Sequence, residues 1–197
     1  MPIIAGRASA AYGSGFGAIT TVPYLGPFGS YDSLASVTLT TATTNVTFSE
    51  IPSDYKHLQL RIFARSTRAS SLDNLYIQFN NDNSSVYASR RFEGDGSAAY
   101  ADGFTSTNQP TGFLVPTASN AADVFCGGIM DILDYSSTTK SKNIRTLRGF
   151  DMNGTGYITT GNIMWNQSSK AITSLTLTSG NSANIAAYSS FALYGVK

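Results

Sequence analysis

Acidic and basic side chains are scarce in this chain: two Glu, five Lys and a charged fraction of 13 %, about half the usual share. Thirteen Lys+Arg against twelve Asp+Glu leave a net charge of +1. That balance excludes an electrostatic nucleic-acid binder as the first reading, because phosphate binding draws on a basic surplus gathered on one face. There is one cysteine, Cys126, so no internal disulfide can form. Its setting, Val124-Phe125-Cys126-Gly127-Gly128-Ile129, reads as a small buried hydrophobe. There is one histidine, His57, far from Cys126 in sequence, so a thiol with an activating base has no support. A complete Cys/His metal site is excluded by the same two counts. No apolar run approaches the roughly 18 residues of a membrane-spanning helix. Met1-Pro2-Ile3-Ile4 meets Ala5-Gly6-Arg7 before any long apolar stretch, so no secretory signal is expected. The four N-x-Ser/Thr sites, at Asn45, Asn83, Asn153 and Asn166, are therefore expected to carry no glycan.

Twenty-six Ser, 22 Thr, 13 Asn and 18 Gly make the surface hydroxyl- and amide-rich instead of ionic. Strong helix formers are few, while Thr, Tyr and Phe are plentiful, which favours strands. Hydrophobic residues at 42 % suffice for one core.

Residues 1–34 stand apart. Gly, Ala, Ser and Pro dominate, interrupted by Tyr12, Phe16, Tyr24, Phe28 and Tyr31, and neither strand nor helix periodicity is sustained. Ordering such a segment costs about 1–2 kcal/mol per residue. A buried aromatic or aliphatic side chain returns about 1.5–3 kcal/mol, and most residues here are too small to contribute. The segment is expected to be an extended arm that takes shelter from neighbouring subunits, with those five aromatics as its anchors.

Residues 35–197 carry repeated period-2 segments. The longest, Lys56 to Arg65, places Leu58, Leu60, Ile62 and Ala64 on one face, and His57, Gln59, Arg61, Phe63 and Arg65 on the other. Asp73 to Phe79 repeats the pattern with Leu75, Ile77 and Phe79 inward. Further strands are expected at 35–40, 45–48, 86–92, 124–133, 144–152, 157–165, 171–178 and 186–196. Residues 93–120, with Gly94-Asp95-Gly96, Asp102-Gly103 and Gln109-Pro110, read as a long functional loop. About ten strands without a convincing helix predict an antiparallel β-sandwich, with a jelly roll as the leading topology.

Reactive constellations are not evident. No G-x-S-x-G elbow or phosphate-binding loop occurs, and Gly13-Ser14-Gly15-Phe16-Gly17 lacks the flanking strand and helix of a dinucleotide site. Asn80-Asn81-Asp82-Asn83 and Glu93-Gly94-Asp95-Gly96 could offer calcium oxygens, but ordinary turn chemistry accounts for both. The two glutamates, Glu50 and Glu93, single out no glycosidase pair. No cofactor and no enzymatic activity are expected. Two kinds of contact are: an acidic partner or adjoining subunit at Arg61, Phe63 and Arg65, and a glycan at Tyr100, Phe104 and Phe113, where aromatic faces would stack on sugar rings.

Phe48-Ser49-Glu50-Ile51-Pro52-Ser53-Asp54-Tyr55-Lys56-His57-Leu58-Gln59-Leu60-Arg61 resembles a module of tailed-bacteriophage virion proteins, in which an F-x-x-I-P-x-x-Y-x-H-L-x-L phrase leads into a strand. Phe79-Asn80-Asn81-Asp82 running to Tyr87 is similar to that module's F-N-x-D phrase, and Ser189-Ser190-Phe191-Ala192-Leu193-Tyr194-Gly195-Val196-Lys197 to its ending. The leader Ala10-Ala11-Tyr12-Gly13-Ser14-Gly15-Phe16-Gly17 is also similar to leaders of some phage proteins. The resemblance covers 35–197 and implies a virion part, assembled in the host bacterial cytoplasm. Implied roles are a capsid decoration or cement protein, or a small fibre or tail-attached protein. Its partners would be other virion proteins and copies of itself, a trimer by family habit. A host-glycan adhesin is the alternative, and a glycan-degrading tail enzyme a distant third. Neither nucleic acid nor membrane is an expected partner.

Overall fold

A computed structural model describes residues 30–197. The predicted arm anchors Tyr12, Phe16, Tyr24 and Phe28 lie outside the described residues. Among those described there is no helix, and twelve strands form two antiparallel sheets.

The strands are β1 (Tyr31–Thr38), β2 (Asn45–Phe48), β3 (His57–Ala64), β4 (Leu72–Phe79), β5 (Tyr87–Gly94), β6 (Ala99–Thr107), β7 (Thr111–Pro116), β8 (Cys126–Leu133), β9 (Lys142–Asp151), β10 (Gly156–Trp165), β11 (Leu175–Ser179) and β12 (Ser190–Val196). The large sheet runs β1-β12-β3-β8-β9-β10-β5-β6, and the small one β2-β11-β4-β7. One cluster of buried side chains draws on both, including Leu58, Leu60 and Ile62 of β3, Leu75, Ile77 and Phe79 of β4, Phe113 of β7, and Leu175 and Leu177 of β11. The arrangement is sandwich-like. The inward sets predicted for β3 and β4 are the buried ones. The sheets pack closely at Gly128, where an added Cβ would stand 2.7 Å from the Phe113 ring.

Two expectations need correction. Residues 93–120 are mostly not a loop: they hold the end of β5, then β6 and β7, joined by short turns. β6 escaped notice because it is an edge strand exposed along almost its whole length, so no hydrophobic alternation marks it. β7 is the opposite case, a short strand buried on both faces, so Phe113-Leu114-Val115 reads as an unbroken apolar run. Pro116 is tolerated there because β7 is itself an edge.

The second correction concerns the arm boundary. Tyr31 to Leu34 belong to β1, which pairs with β12 from Tyr31↔Val196 onward. Tyr31 meets Tyr194 edge-on at 6.5 Å, and the Arg61 guanidinium covers both rings. Asp32 accepts hydrogen bonds from Tyr55 Oη (3.2 Å) and Lys197 Nζ (2.9 Å). The Lys197 amide reaches the Ser30 carbonyl at 3.2 Å, so both ends of the described chain meet at one corner.

The turn after β4 is built as its residues suggest. Asn80 and Asn81 both take φ of 53°, left-handed geometry that Asn adopts at little cost. The Asn80 amide oxygen accepts from the backbone of Thr173 and Ser174, while its Nδ2 donates to the Ala171 carbonyl. Asp82 Oδ2 accepts from Trp165 Nε1 and Gln167 Nε2, each at 3.1 Å, and Oδ1 accepts from Ser84. Those oxygens are occupied by donors of the chain itself.

Candidate functional sites

The large sheet has four more strands than the small one. The small sheet therefore covers only part of its inner face, where Ile144, Ile163, Trp165 and Tyr87 of β9, β10 and β5 still join the core, and its outer face has no opposing sheet. Each produces a site.

On the outer face, directly opposed residues of antiparallel neighbours share a side. One row runs Arg61, Ile129, Leu147, Thr160, Phe92 across β3, β8, β9, β10 and β5. The adjoining row runs Phe63, Gly127, Gly149, Ile158, Gly94. Phe63, Ile129, Leu147, Ile158 and Phe92 are exposed by 50, 39, 53, 64 and 54 %. The three glycines between them supply no side chain, so the rows enclose a groove of about 870 Å³. Arg61 lies at one end, and Asp95 after β5 and Asp151 at the end of β9 lie at the other. Phe63 stacks on Phe125 at 5.0 Å and 13°. Outward-facing apolar side chains on five consecutive strands are not what a solvated sheet face carries.

On the inner face, past Ile144, Ile163 and Tyr87, the remaining half of β9, β10 and β5 is lined by polar groups. Thr146, Arg148, Thr159 and Glu93 are buried there. Arg91 forms a bidentate pair with Asp102 (2.8 and 2.9 Å) and lies 3.9 Å from Glu93, which also accepts from Thr159 Oγ1 at 3.1 Å. Between this face and the β4–β7 edge of the small sheet lies a cleft of about 480 Å³. Arg68 stands on its far side, 3.5 Å from the buried Asp73 carboxylate. Asp73 also accepts from Ser66 (2.6 Å), Ser179 (2.8 Å) and Asn181 (3.3 Å). Phe104, exposed by 56 %, projects along the cleft wall. Behind that wall, burial brings the Arg148 guanidinium down to about 10. Its Nε is buried without a hydrogen-bond partner and borders a 20 Å³ space, room for about one water.

The residues singled out from sequence divide accordingly. Arg61 and Phe63 lie on the outer face as expected. Arg65 does not: the strand ends at Ala64, alternation stops, and the side chain turns inward. It donates to the carbonyls of Ala121 (2.8 Å) and Thr117 (2.6 Å), clamping the 117–121 loop. Phe113 is fully buried in β7 and cannot touch a glycan. Tyr100 is exposed on β6, with its hydroxyl 3.5 Å from Asp95, and Phe104 reaches the cleft. His57 accepts from the Asp134 amide through Nδ1 at 3.0 Å. Cys126 is buried, and burial pushes its thiol up to about 11, with Arg148 pulling weakly downward.

Sequence reasoning missed Ile129, Leu147, Ile158 and Phe92. The signal was a reversal within one strand. Along Ile144-Arg145-Thr146-Leu147-Arg148, the face that begins with Ile continues with Thr and Arg, while Leu joins the opposite face.

No family model, curated protein or solved structure matches this chain.

Proposed function

We propose that this protein is a non-enzymatic structural component of a bacteriophage particle, a surface decoration or tail-attached subunit. Residues 1–29 of one copy would rest on the outer sheet face of a neighbouring subunit, another copy of this chain first of all. The observation that carries the reading is the five-strand apolar outer face. A face of that kind is characteristic of surfaces that end up covered. The segment leads into Tyr31, which lies on that same side, stacked with Tyr194 and Arg61 beside the groove. It brings aromatic and aliphatic residues that its own composition gives no core.

The strand order supports a jelly roll enlarged by two hairpins. Setting aside β5–β6 and β9–β10 leaves two four-stranded sheets, β1-β12-β3-β8 and β2-β11-β4-β7. In these the first strand lies beside the last and the second beside the next to last, the nested pairing of two Greek keys. Capsid and lectin domains both use that architecture, so it fits the virion resemblance without fixing a role.

Sedimentation of the full chain, a chain lacking residues 2–29, and a Leu147→Asp/Ile158→Asp chain tests the reading. The full chain should associate, and both variants should sediment as monomers with unchanged melting temperature. Association of the truncated chain equal to that of the full chain would overturn the proposed contact.

A further inference from the structure

We infer that the cleft between the inner face of β5–β6 and the β4–β7 edge is a binding site for a neutral glycan. The inference is independent of the assembly role and needs no contact between copies. Its volume of about 480 Å³ lies within the roughly 300–1,000 Å³ of small-ligand sites.

The chemistry of the lining selects the class. The cationic groups on the walls already have partners, Arg68 with Asp73 and Arg91 with Asp102 and Glu93. An anion would have to compete with carboxylates already in place, so phosphorylated and acidic ligands gain little. The groups left unbonded are neutral. The side-chain amides of Asn74, Asn108 and Gln109 and the Tyr76 hydroxyl line the cleft, and none has a hydrogen-bond partner among the described residues. Amides donate and accept at once, which matches a ligand whose hydroxyls do the same. Phe104 adds a flat apolar surface, the complement of a sugar ring's C–H face.

The site is also stiff where stiffness favours binding. The carboxylates beneath it are held by Ser66, Ser179 and Asn181 on one side and by Thr159 and Arg91 on the other. Little ordering of the cleft floor therefore remains to be done when a ligand arrives.

Saturation-transfer NMR with glucose, galactose and N-acetylglucosamine tests the inference, with glucuronate and inorganic phosphate as charged arms. A neutral sugar should bind with a dissociation constant on the order of millimolar. Phe104→Ala should weaken it about tenfold, Phe104→Trp should retain it, and Asn108→Ala should weaken it severalfold. Phe104 and Asn108 are exposed, so these variants should melt like the parent. Leu147→Asp, on the opposite face, should leave binding unchanged. Binding of none of the three sugars, tighter binding of glucuronate or phosphate, or indifference to Phe104→Ala would each overturn the inference.

Discussion

Asp82 joins the β4–β5 turn to the far end of β10 through one carboxylate. Its Oδ2 takes the indole N–H of Trp165, a fully buried ring that also packs against Phe79 at 5.7 Å and Tyr87 at 6.5 Å. Burial works against the charged form, but the hydrogen bonds from Ser84, Trp165 and Gln167 outweigh it and hold this carboxyl below its ordinary 3.8. Its contribution is therefore whole above pH 3.8 and lost as the pH falls below that value. Asp82→Ala should cost about 2–3 kcal/mol in urea unfolding, because the indole N–H is left buried and unpaired. The same substitution in a Trp165→Phe background should cost clearly less, and equal costs would show that the indole bond contributes nothing. Asp82 was legible as a turn residue, since Asn-Asn-Asp-Asn announces a turn. Its partner 83 residues away was not, because local chemistry carries no information about which distant donor folds over it.

At the scale of strands, β3 and β4 could be read directly, since one face is buried and the other is not. Reading failed where a strand has no such asymmetry, at the wholly exposed β6 and the doubly buried β7. It failed again where the meaning of a face changes along the sheet. β9 keeps Ile144 inward against the core, then Thr146 and Arg148 inward where they border Thr111 at the edge of the small sheet. Arg61 and Phe63 were identifiable because β3 crosses the core, whereas Leu147 and Ile158 lie in the parts of β9 and β10 where the inward residues, Thr146, Arg148 and Thr159, are polar. Gly127 and Gly128 give a local test of strand geometry. A Cβ on Gly127 meets nothing within 4 Å, while one on Gly128 would strike the Phe113 ring at 2.7 Å. Gly128→Ala should therefore destabilise by about 1–3 kcal/mol through overpacking, and Gly127→Ala should stay within about 0.5 kcal/mol. Thermal melts of the two variants decide it, and equal shifts would mean the sheets are spaced differently from this description.

For the whole molecule, alkaline pH is the informative stress. Burial raises Cys126 from 9.0 to about 11 and Tyr87 from 10.0 to about 12. Both groups hold protons more tightly when folded, so their stabilisation is complete below pH 9 and is lost as the pH climbs through 11 and 12. Arg148 opposes them: burial brings its guanidinium down to about 10, below the ordinary arginine range, so its burial becomes less costly as the pH rises past that value. Urea midpoints should fall from pH 9 to 11, and Cys126→Ala should fall less over the same range. Parallel curves would exclude the thiol as a cause. A different consequence follows from the corner where the Lys197 amide meets the Ser30 carbonyl. A short peptide bridge from 197 back to 30 should close the barely separated ends into a loop. The chain could then be reopened at the exposed Asn153–Gly154 bend, where both residues already adopt positive φ. Such a circular permutant should retain its melting behaviour and far-ultraviolet spectrum. The same corner makes this scaffold a convenient host for display, since a cargo joined at Ser30 or at Lys197 emerges from the same vertex.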